Sequence, residues 1–485
     1  MIPNYLDILA NTIREKWDQP ALTDLCFTAD STALDLERGN RYTYGEMYSA
    51  VVDTANMLYD MGLRKGDHIA ICGENSSNWI IAYLAVSKLQ AVAVVVMPML
   101  PATQIAQLID FADAKVLFAD ANTRTKIQNQ SMPQLKSIVG VETLRFTRFA
   151  SEVGFGDTNP EDPAMICFTS GSTEHPKAVL LANRTISANF AFVERTIPNY
   201  KGEQALIFLP LAHVMGQLLL SPLCYGCHTY VLCGFITTES LMAAVAHAKP
   251  YLVVIVPLLA EKLFERSDSN PLKSVPYFIL GGANVSDEQI KYLIDNGIRL
   301  SAGYGLSETG GMVSLSAPDK FRIGSCGYMS DSTKVCIADN GEILVKGDNI
   351  MLGYYKDPEA TARKIDADDW LHTGDKGHLD EDGYLYIEGR LEQDIIVLPN
   401  GENIHPEDIE SKINAIPEVK ESIVFAREGK LVAIAVCDKE EIDRRTILRT
   451  INPQLPLYSQ IYDVELTETP LVRTEKQTLK RYLYK

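Results

Sequence analysis

The sequence predicts an α/β protein of mostly parallel sheets covered by helices on both faces, with a smaller antiparallel β part and a mixed segment after it. Three observations predict this. Between residues 40 and 120 the apolar spacing switches repeatedly between helical and strand periods. The same rhythm returns as short apolar runs at 206–209, 229–232, 252–256 and 277–280. From about 335 to 390 the pattern changes to short strands with glycine turns at Asn340-Gly341 and Asp382-Gly383.

In chain order, 44–62 has apolar residues every three or four positions and ends at Gly62, so it is expected to be a helix. Residues 67–72 form a short apolar run, expected as a buried strand. Asn75 and Ser76 are capping residues for a helix running to about Leu89. Two further runs, 91–96 and 115–120, are separated by another helical stretch. Beyond Arg390 the chain has mixed α and β character. No internal repeat or low-complexity tract is present.

The chain has 485 residues, 46% apolar and 22% charged, enough for a sizeable core. Its net charge of −18 argues against a nucleic-acid binder, which needs clustered Lys and Arg. It leaves open a local cationic pocket for one phosphorylated ligand. The first twenty residues carry Asp7, Glu15 and Asp18 and lack a basic start followed by an apolar run, so no secretory signal is expected. The most apolar stretch, 89–100, contains Pro98 and is too short to span a bilayer. Nine scattered cysteines fit reduced thiols and a cytoplasmic location. Cys224 and Cys227, with His228 beside them, have half a metal-site spacing. No second pair faces them, so buried thiols are expected.

Residues 168–180 read Phe-Thr-Ser-Gly-Ser-Thr-Glu-His-Pro-Lys-Ala-Val-Leu. Thr169, Ser170, Ser172 and Thr173 place four hydroxyls around Gly171, with Lys177 a few residues on. Small residues let backbone N–H groups approach phosphate oxygens, hydroxyls donate, and a lysine neutralises charge. By itself such a stretch is more often an ordinary turn. Other motifs follow it in order: Tyr304-Gly-Leu-Ser-Glu-Thr309, Gly341-Glu-Ile-Leu-Val-Lys-Gly347, Gly353-Tyr-Tyr-Lys-Asp-Pro-Glu-Ala360, Trp370-Leu-His-Thr-Gly-Asp375 and Gly389-Arg390.

Together these resemble the adenylate-forming superfamily of acyl-CoA synthetases, luciferases and peptide-synthetase adenylation domains. The stretch from Tyr304 to Gly327 looks most like fatty-acid–CoA ligases. The resemblance implies a large domain, residues 1–389, holding the nucleotide and acyl sites, a hinge at 390–394, and a small mobile α+β C-terminal domain, 395–485. It implies ATP, Mg²⁺ and coenzyme A as the small molecules handled, together with a carboxylic acid.

By the same resemblance, the loop from Thr169 to Lys177 would hold the β- and γ-phosphates, and Tyr304 would lie against adenine. Ser307 would put a hydroxyl near the α-phosphate, and Glu308 would hold Mg²⁺ through oxygen. Gly281, Gly282 and Ala283 would let the backbone approach the base, while Asp375 and Arg390 would hold the ribose. Residues 209–216 resemble the acyl-pocket segment, with His213 as its polar residue. Ala212 and His213 supply no carboxylate, which weighs against amino-acid substrates, whose ammonium would be buried unpaired.

Three places depart from the family pattern. Glu174 and Ala178 stand where glycines are usual, and Glu174 brings negative charge beside a triphosphate loop. Three residues, not two, separate Arg390 from Asp394, the expected hinge residue. Near the C-terminus Gln477 and Thr478 occupy the usual Gly-Lys positions, and a hydroxyl does not replace a cation between two anions. Lys476 is the expected substitute and Lys480 the alternative. Loss of one such stabiliser costs about 10²–10³ in rate.

The expected function is ATP-dependent activation of a fatty or other apolar acid and transfer to coenzyme A, with Glu308, Lys476 and His213 nearest the chemistry. The alternatives are a nucleotide- or acyl-adenylate-binding relative with impaired adenylation, and an aryl-acid–CoA ligase.

Overall fold

The computed structural model describes residues 2–27, 34–35, 37–169, 177–197, 199–234, 236–255, 270–281, 287–391, 396–399, 402–437, 442–472 and 483–484. Two large sheets dominate. In the first, the strand His68–Cys72 lies between Val92–Val96 and Val116–Ala119, all parallel, with Ser137–Gly140 at one edge. On the other side the order continues through Pro163–Thr169 and Lys177–Ala182 to the two-residue strand Gly353–Tyr354. The last two pairings are antiparallel.

The second sheet runs Tyr328–Met329, Ser314–Leu315, Leu300–Tyr304, Tyr277–Leu280, Leu252–Ile255, Gln204–Ile207, His228–Leu232, Pro20–Phe27 and Leu34–Asp35. Its centre is parallel, as expected. The sequence reading assigned no strand before residue 40. Yet Pro20–Phe27 pairs in parallel with His228–Leu232 and carries Arg41–Thr43 on its other side. The expected antiparallel part is a four-stranded sheet of Thr333–Ile337, Glu342–Gly347, Leu371–Leu379 and Leu385–Arg390.

Alternation along the strands fills both faces of each sheet. Ile69, Ile71, Ala93 and Val95 join one apolar cluster. Ala70, Cys72, Val92 and Val94 join another with Ile105 and Leu108 of the helix Ala102–Phe111. The first cluster also takes Leu22, Ile207, Val231 and Ile279 from the second large sheet. Helices that contribute to it include Tyr5–Glu15, Tyr44–Asp60, Ser77–Lys88 and Asn183–Thr196. Ser77–Lys88 is buried at ten consecutive residues from Ser77 to Val86, as befits a helix packed on every side. Ser76 caps it by accepting from the Trp79 amide, as its sequence position predicted.

Each fully buried Leu or Ile contributes roughly 1.5–3 kcal/mol, so apolar packing dominates the energy. Polar contacts set how the sheets meet. Asp24, on Pro20–Phe27, is buried, and its Oδ1 accepts the Ser77 amide and hydroxyl, both at 2.7 Å. Its Oδ2 accepts the Asn40 amide and side chain. Burial pushes its carboxyl pKa upward, and these four donors oppose that shift without cancelling it. Asn75 makes a second tie, donating to the Leu209 carbonyl and accepting the Leu211 amide.

The C-terminal segment has its own apolar cluster. Ile409 and Ile413 of the helix Pro406–Asn414 pack with Val424, Leu431, Ala433 and Val464 from the three-stranded sheet Val419–Arg427, Lys430–Cys437 and Asp463–Thr467. Cys224 and Cys227 are buried, as expected, and the Cys227 thiol donates to the Tyr200 carbonyl. Among the described residues no helix is long and apolar enough to cross a membrane.

Glu402 precedes the short strand Asn403–Ile404, and burial pushes its carboxyl up from 4.5 to about 7. Folding therefore favours the protonated form, and stability falls as pH rises from the ordinary glutamate value through about 7. Glu402→Gln removes this titration. Thermal melts should show the variant gaining on the parent protein by a few degrees between about pH 5 and pH 8. A parent protein that gained on the variant over that interval would contradict the assignment.

Candidate active site

The hydroxyl-rich loop is closed by an antiparallel hairpin. Thr169 ends one strand and Lys177 begins the next, directly opposite each other in register. Ser170, Gly171, Ser172, Thr173 and Glu174 lie outside the described residues. Lys177 is half-buried, and its Nζ stands 5.4 Å from the centre of the Tyr354 ring. A cation over an aromatic face is stabilised by the ring quadrupole.

Tyr304 ends the strand Leu300–Tyr304, and a tight loop follows it. A Cβ on Gly305 would stand 2.2 Å from the Gly311 carbonyl oxygen, so only glycine lets the loop fold back this closely. Ser307 and Glu308 open the short 3₁₀ turn Ser307–Thr309. Asn189, buried on Asn183–Thr196, donates to the carbonyls of Thr309 and Gly310 at 2.9 and 3.0 Å.

Glu308 is held twice by one downstream segment. Its carbonyl accepts the Met351 amide at 2.9 Å, and its Oε1 accepts the Tyr354 hydroxyl at 2.6 Å. Burial, with the Glu308 charge next, pushes the Tyr354 hydroxyl well above its ordinary pKa, so it remains a donor. Cys167, on Pro163–Thr169, is pushed up to about 12 chiefly by burial and secondly by Glu308.

Asp375 lies on Leu371–Leu379 and is 4% exposed. Its Oδ2 accepts the Tyr304 hydroxyl at 2.5 Å, which joins the antiparallel sheet to the end of a central strand. Asp375 pairs in register with Arg390, whose side chain lies outside the description. The neighbouring turn is held by Glu342, also buried. One carboxylate oxygen accepts the Gly374 amide at 2.9 Å, and the other meets His372 Nδ1 at 3.1 Å. His372 Nε2 in turn lies 3.5 Å from Asp366.

His213 is half-buried at the start of Val214–Leu218, where its Nδ1 accepts the Met215 amide at 3.2 Å. Burial pushes its pKa down, which suits a neutral ring with one accepting nitrogen. Apolar groups close in from both sides. A Cβ on Gly281 would stand 2.9 Å from the end of Met215, and one on Gly311 would meet Leu218 and Val214 at 3.2 and 3.5 Å. Gly282, Ala283, Asp394, Lys476, Gln477, Thr478 and Lys480 lie outside the described residues.

The structure thus brings Thr169 opposite Lys177, sets Lys177 over the ring of Tyr354 whose hydroxyl binds Glu308, and joins Tyr304 to Asp375. Sequence reasoning missed Tyr354, Glu342, His372 and Asn189. The first three lie inside the quoted motifs. Nothing local signals that Tyr354 reaches a carboxylate on a distant turn.

Comparison with known proteins finds similarity along most of the chain. The AMP-binding enzyme family matches residues 14–355, and the AMP-binding enzyme C-terminal domain matches residues 393–484. A 2-succinylbenzoate–CoA ligase from Oceanobacillus iheyensis is 31% identical over 431 residues, 84% of this chain and 87% of that protein. A long-chain-fatty-acid–CoA ligase from Mycobacterium tuberculosis is 27% identical over 443 residues, 86% and 88% of the two chains. The fold matches a double mutant of o-succinylbenzoate CoA synthetase from Bacillus subtilis, solved with a product analogue. The TM-score is 0.84 at 23% identity, covering 100% of this chain and 98% of that one.

Glu342→Ala would leave the Gly374 amide and the His372 ring without their acceptor. We expect a loss of about 1–3 kcal/mol in denaturant unfolding, and a smaller loss for Glu342→Gln, which keeps an acceptor for Gly374. Equal stability of the alanine variant and the parent protein would contradict this account.

Proposed function

The chain belongs to the AMP-binding enzymes, and we propose that it activates an apolar carboxylic acid with ATP and passes the acyl group to coenzyme A. Its relatives are AMP-forming acid–thiol ligases. A carboxylate oxygen attacks the α-phosphorus of ATP, pyrophosphate leaves, and an acyl adenylate remains. The sulfur of coenzyme A then attacks the acyl carbon, its proton is lost and AMP departs. In the first step two anions must meet, so positioning and charge stabilisation supply most of the catalysis.

Two observations support the reading: Tyr354 donates to Glu308 with Lys177 over its ring, and Tyr304 donates to Asp375. Lys177 and Thr169 would serve the β- and γ-phosphates at the mouth of the hairpin, with the hydroxyls of the loop between them. Asp375 has the oxygens to accept ribose hydroxyls, and Tyr304 offers a flat face beside it. Glu308 is half-buried and presents oxygen, which suits a hard cation. When bound there, Mg²⁺ neutralises phosphate charge. Lys476, or else Lys480, would supply the cation that Thr478 does not.

Val214, Met215 and Leu218 beside His213 support an apolar acid without an ammonium group. A fatty acid is the leading reading, supported by the long-chain relative. An aryl acid is the second, and the 31% identical 2-succinylbenzoate–CoA ligase supports it.

The test is to incubate the protein with ATP, Mg²⁺ and panels of fatty and aryl acids, with and without coenzyme A, measuring pyrophosphate and acyl-CoA. Pyrophosphate with an apolar acid, followed by acyl-CoA only when the thiol is present, is expected. ATP binding without pyrophosphate from any acid would leave only the impaired binder. Lys476→Ala should slow pyrophosphate release by about 10²–10³.

A further inference from the structure

We propose that Tyr354 is a positioning residue: its hydroxyl fixes the Glu308 carboxylate for the metal, and its ring carries the phosphate-loop lysine, so one side chain sets both groups. This rests on the reading of Glu308 as the Mg²⁺ carboxylate.

The backbone of Tyr354 is locked before its side chain acts. Leu352 donates to the Leu180 carbonyl and Tyr355 to the Ala178 carbonyl, both at 2.8 Å, so Gly353 and Tyr354 sit opposite Leu180 and Val179. Gly353 has φ +146, and a Cβ there would lie 2.8 Å from Thr361 Cγ2, so the position admits only glycine. The Tyr354 amide donates to Thr361 Oγ1 at 2.8 Å. Tyr355 donates to Asp113 at 2.8 Å and Lys356 pairs with the same carboxylate at 2.6 Å, which anchors the following residues to the turn after the helix Ala102–Phe111.

From this fixed base, the 2.6 Å bond to Glu308 Oε1 sets the carboxylate rotation. The Met351 amide holds the Glu308 carbonyl, so backbone and side chain are gripped from the same segment. With Oε1 engaged by the tyrosine, the carboxylate would be held in one orientation for a cation. Lys177 lies over the opposite end of the same contact, 5.4 Å from the ring centre. A hydrogen bond to a charged acceptor is stronger than one between neutral groups, enough to matter for ligand geometry.

The two functions of Tyr354 separate by substitution. Tyr354→Phe keeps the ring under Lys177 and removes the donor to Glu308; Tyr354→Leu removes both. Glu308→Gln is the control. Binding of a fluorescent, non-hydrolysable ATP analogue is titrated with and without Mg²⁺, with no acid present, and melts check folding. We expect Tyr354→Phe to raise the Mg²⁺ concentration for half-maximal enhancement by about 10-fold, with little change in metal-free binding. Tyr354→Leu should weaken metal-free binding as well.

If Glu308→Gln leaves the Mg²⁺ dependence intact, the metal reading of Glu308 falls, and this proposal with it. If Glu308→Gln removes that dependence while Tyr354→Phe matches the parent protein, the positioning role alone is wrong. Equal weakening by Tyr354→Phe with and without Mg²⁺ would mark a purely structural tyrosine and overturn the proposal. Should Tyr354→Leu fail to fold, the phenylalanine variant decides.

Discussion

Pairing of Gly353–Tyr354 with the strand Lys177–Ala182 joins parts of the chain that are far apart in sequence. Central parallel strands place their ends together, but ends alone do not orient side chains. Here a two-residue antiparallel strand is added at the sheet edge. It carries a tyrosine inward, toward the turn that holds Glu308 and the strand that begins with Lys177. The second tyrosine bond, Tyr304 to Asp375, does the same between a central strand and the antiparallel sheet.

Charge explains why such devices are needed. A chain of net −18 that binds a polyanion must keep its own carboxylates from repelling the ligand. Three acids at the site are committed to donors: Glu308 to Tyr354, Asp375 to Tyr304, and Glu342 to Gly374 and His372. Each bond fixes where the negative charge sits. Asp24 applies the same rule away from the site, where four donors from Ser77 and Asn40 hold a buried carboxylate.

Much of the fold was legible because its signals are local. The alternation of buried runs and helices in 44–120 appears as Tyr44–Asp60, His68–Cys72, Ser77–Lys88, Val92–Val96 and Val116–Ala119, with the Ser76 cap in place. The antiparallel strands after residue 333 also follow their glycine turns. Pro20–Phe27 was not legible. It is buried through pairing with His228–Leu232, and that partner lies two hundred residues on.

The sequence by itself determined which residue types stand at the candidate site, and their motifs named them through a family resemblance. Thr169, Lys177, Tyr304, Glu308 and Asp375 could be named from it. Only the tertiary structure decided which of these groups hold one another. Tyr354 reaches Glu308, and Tyr304 reaches Asp375, through strand pairing and sheet packing between distant segments. Such contacts depend on register and on which face a side chain leaves the sheet, and no stretch of sequence on either side encodes them alone.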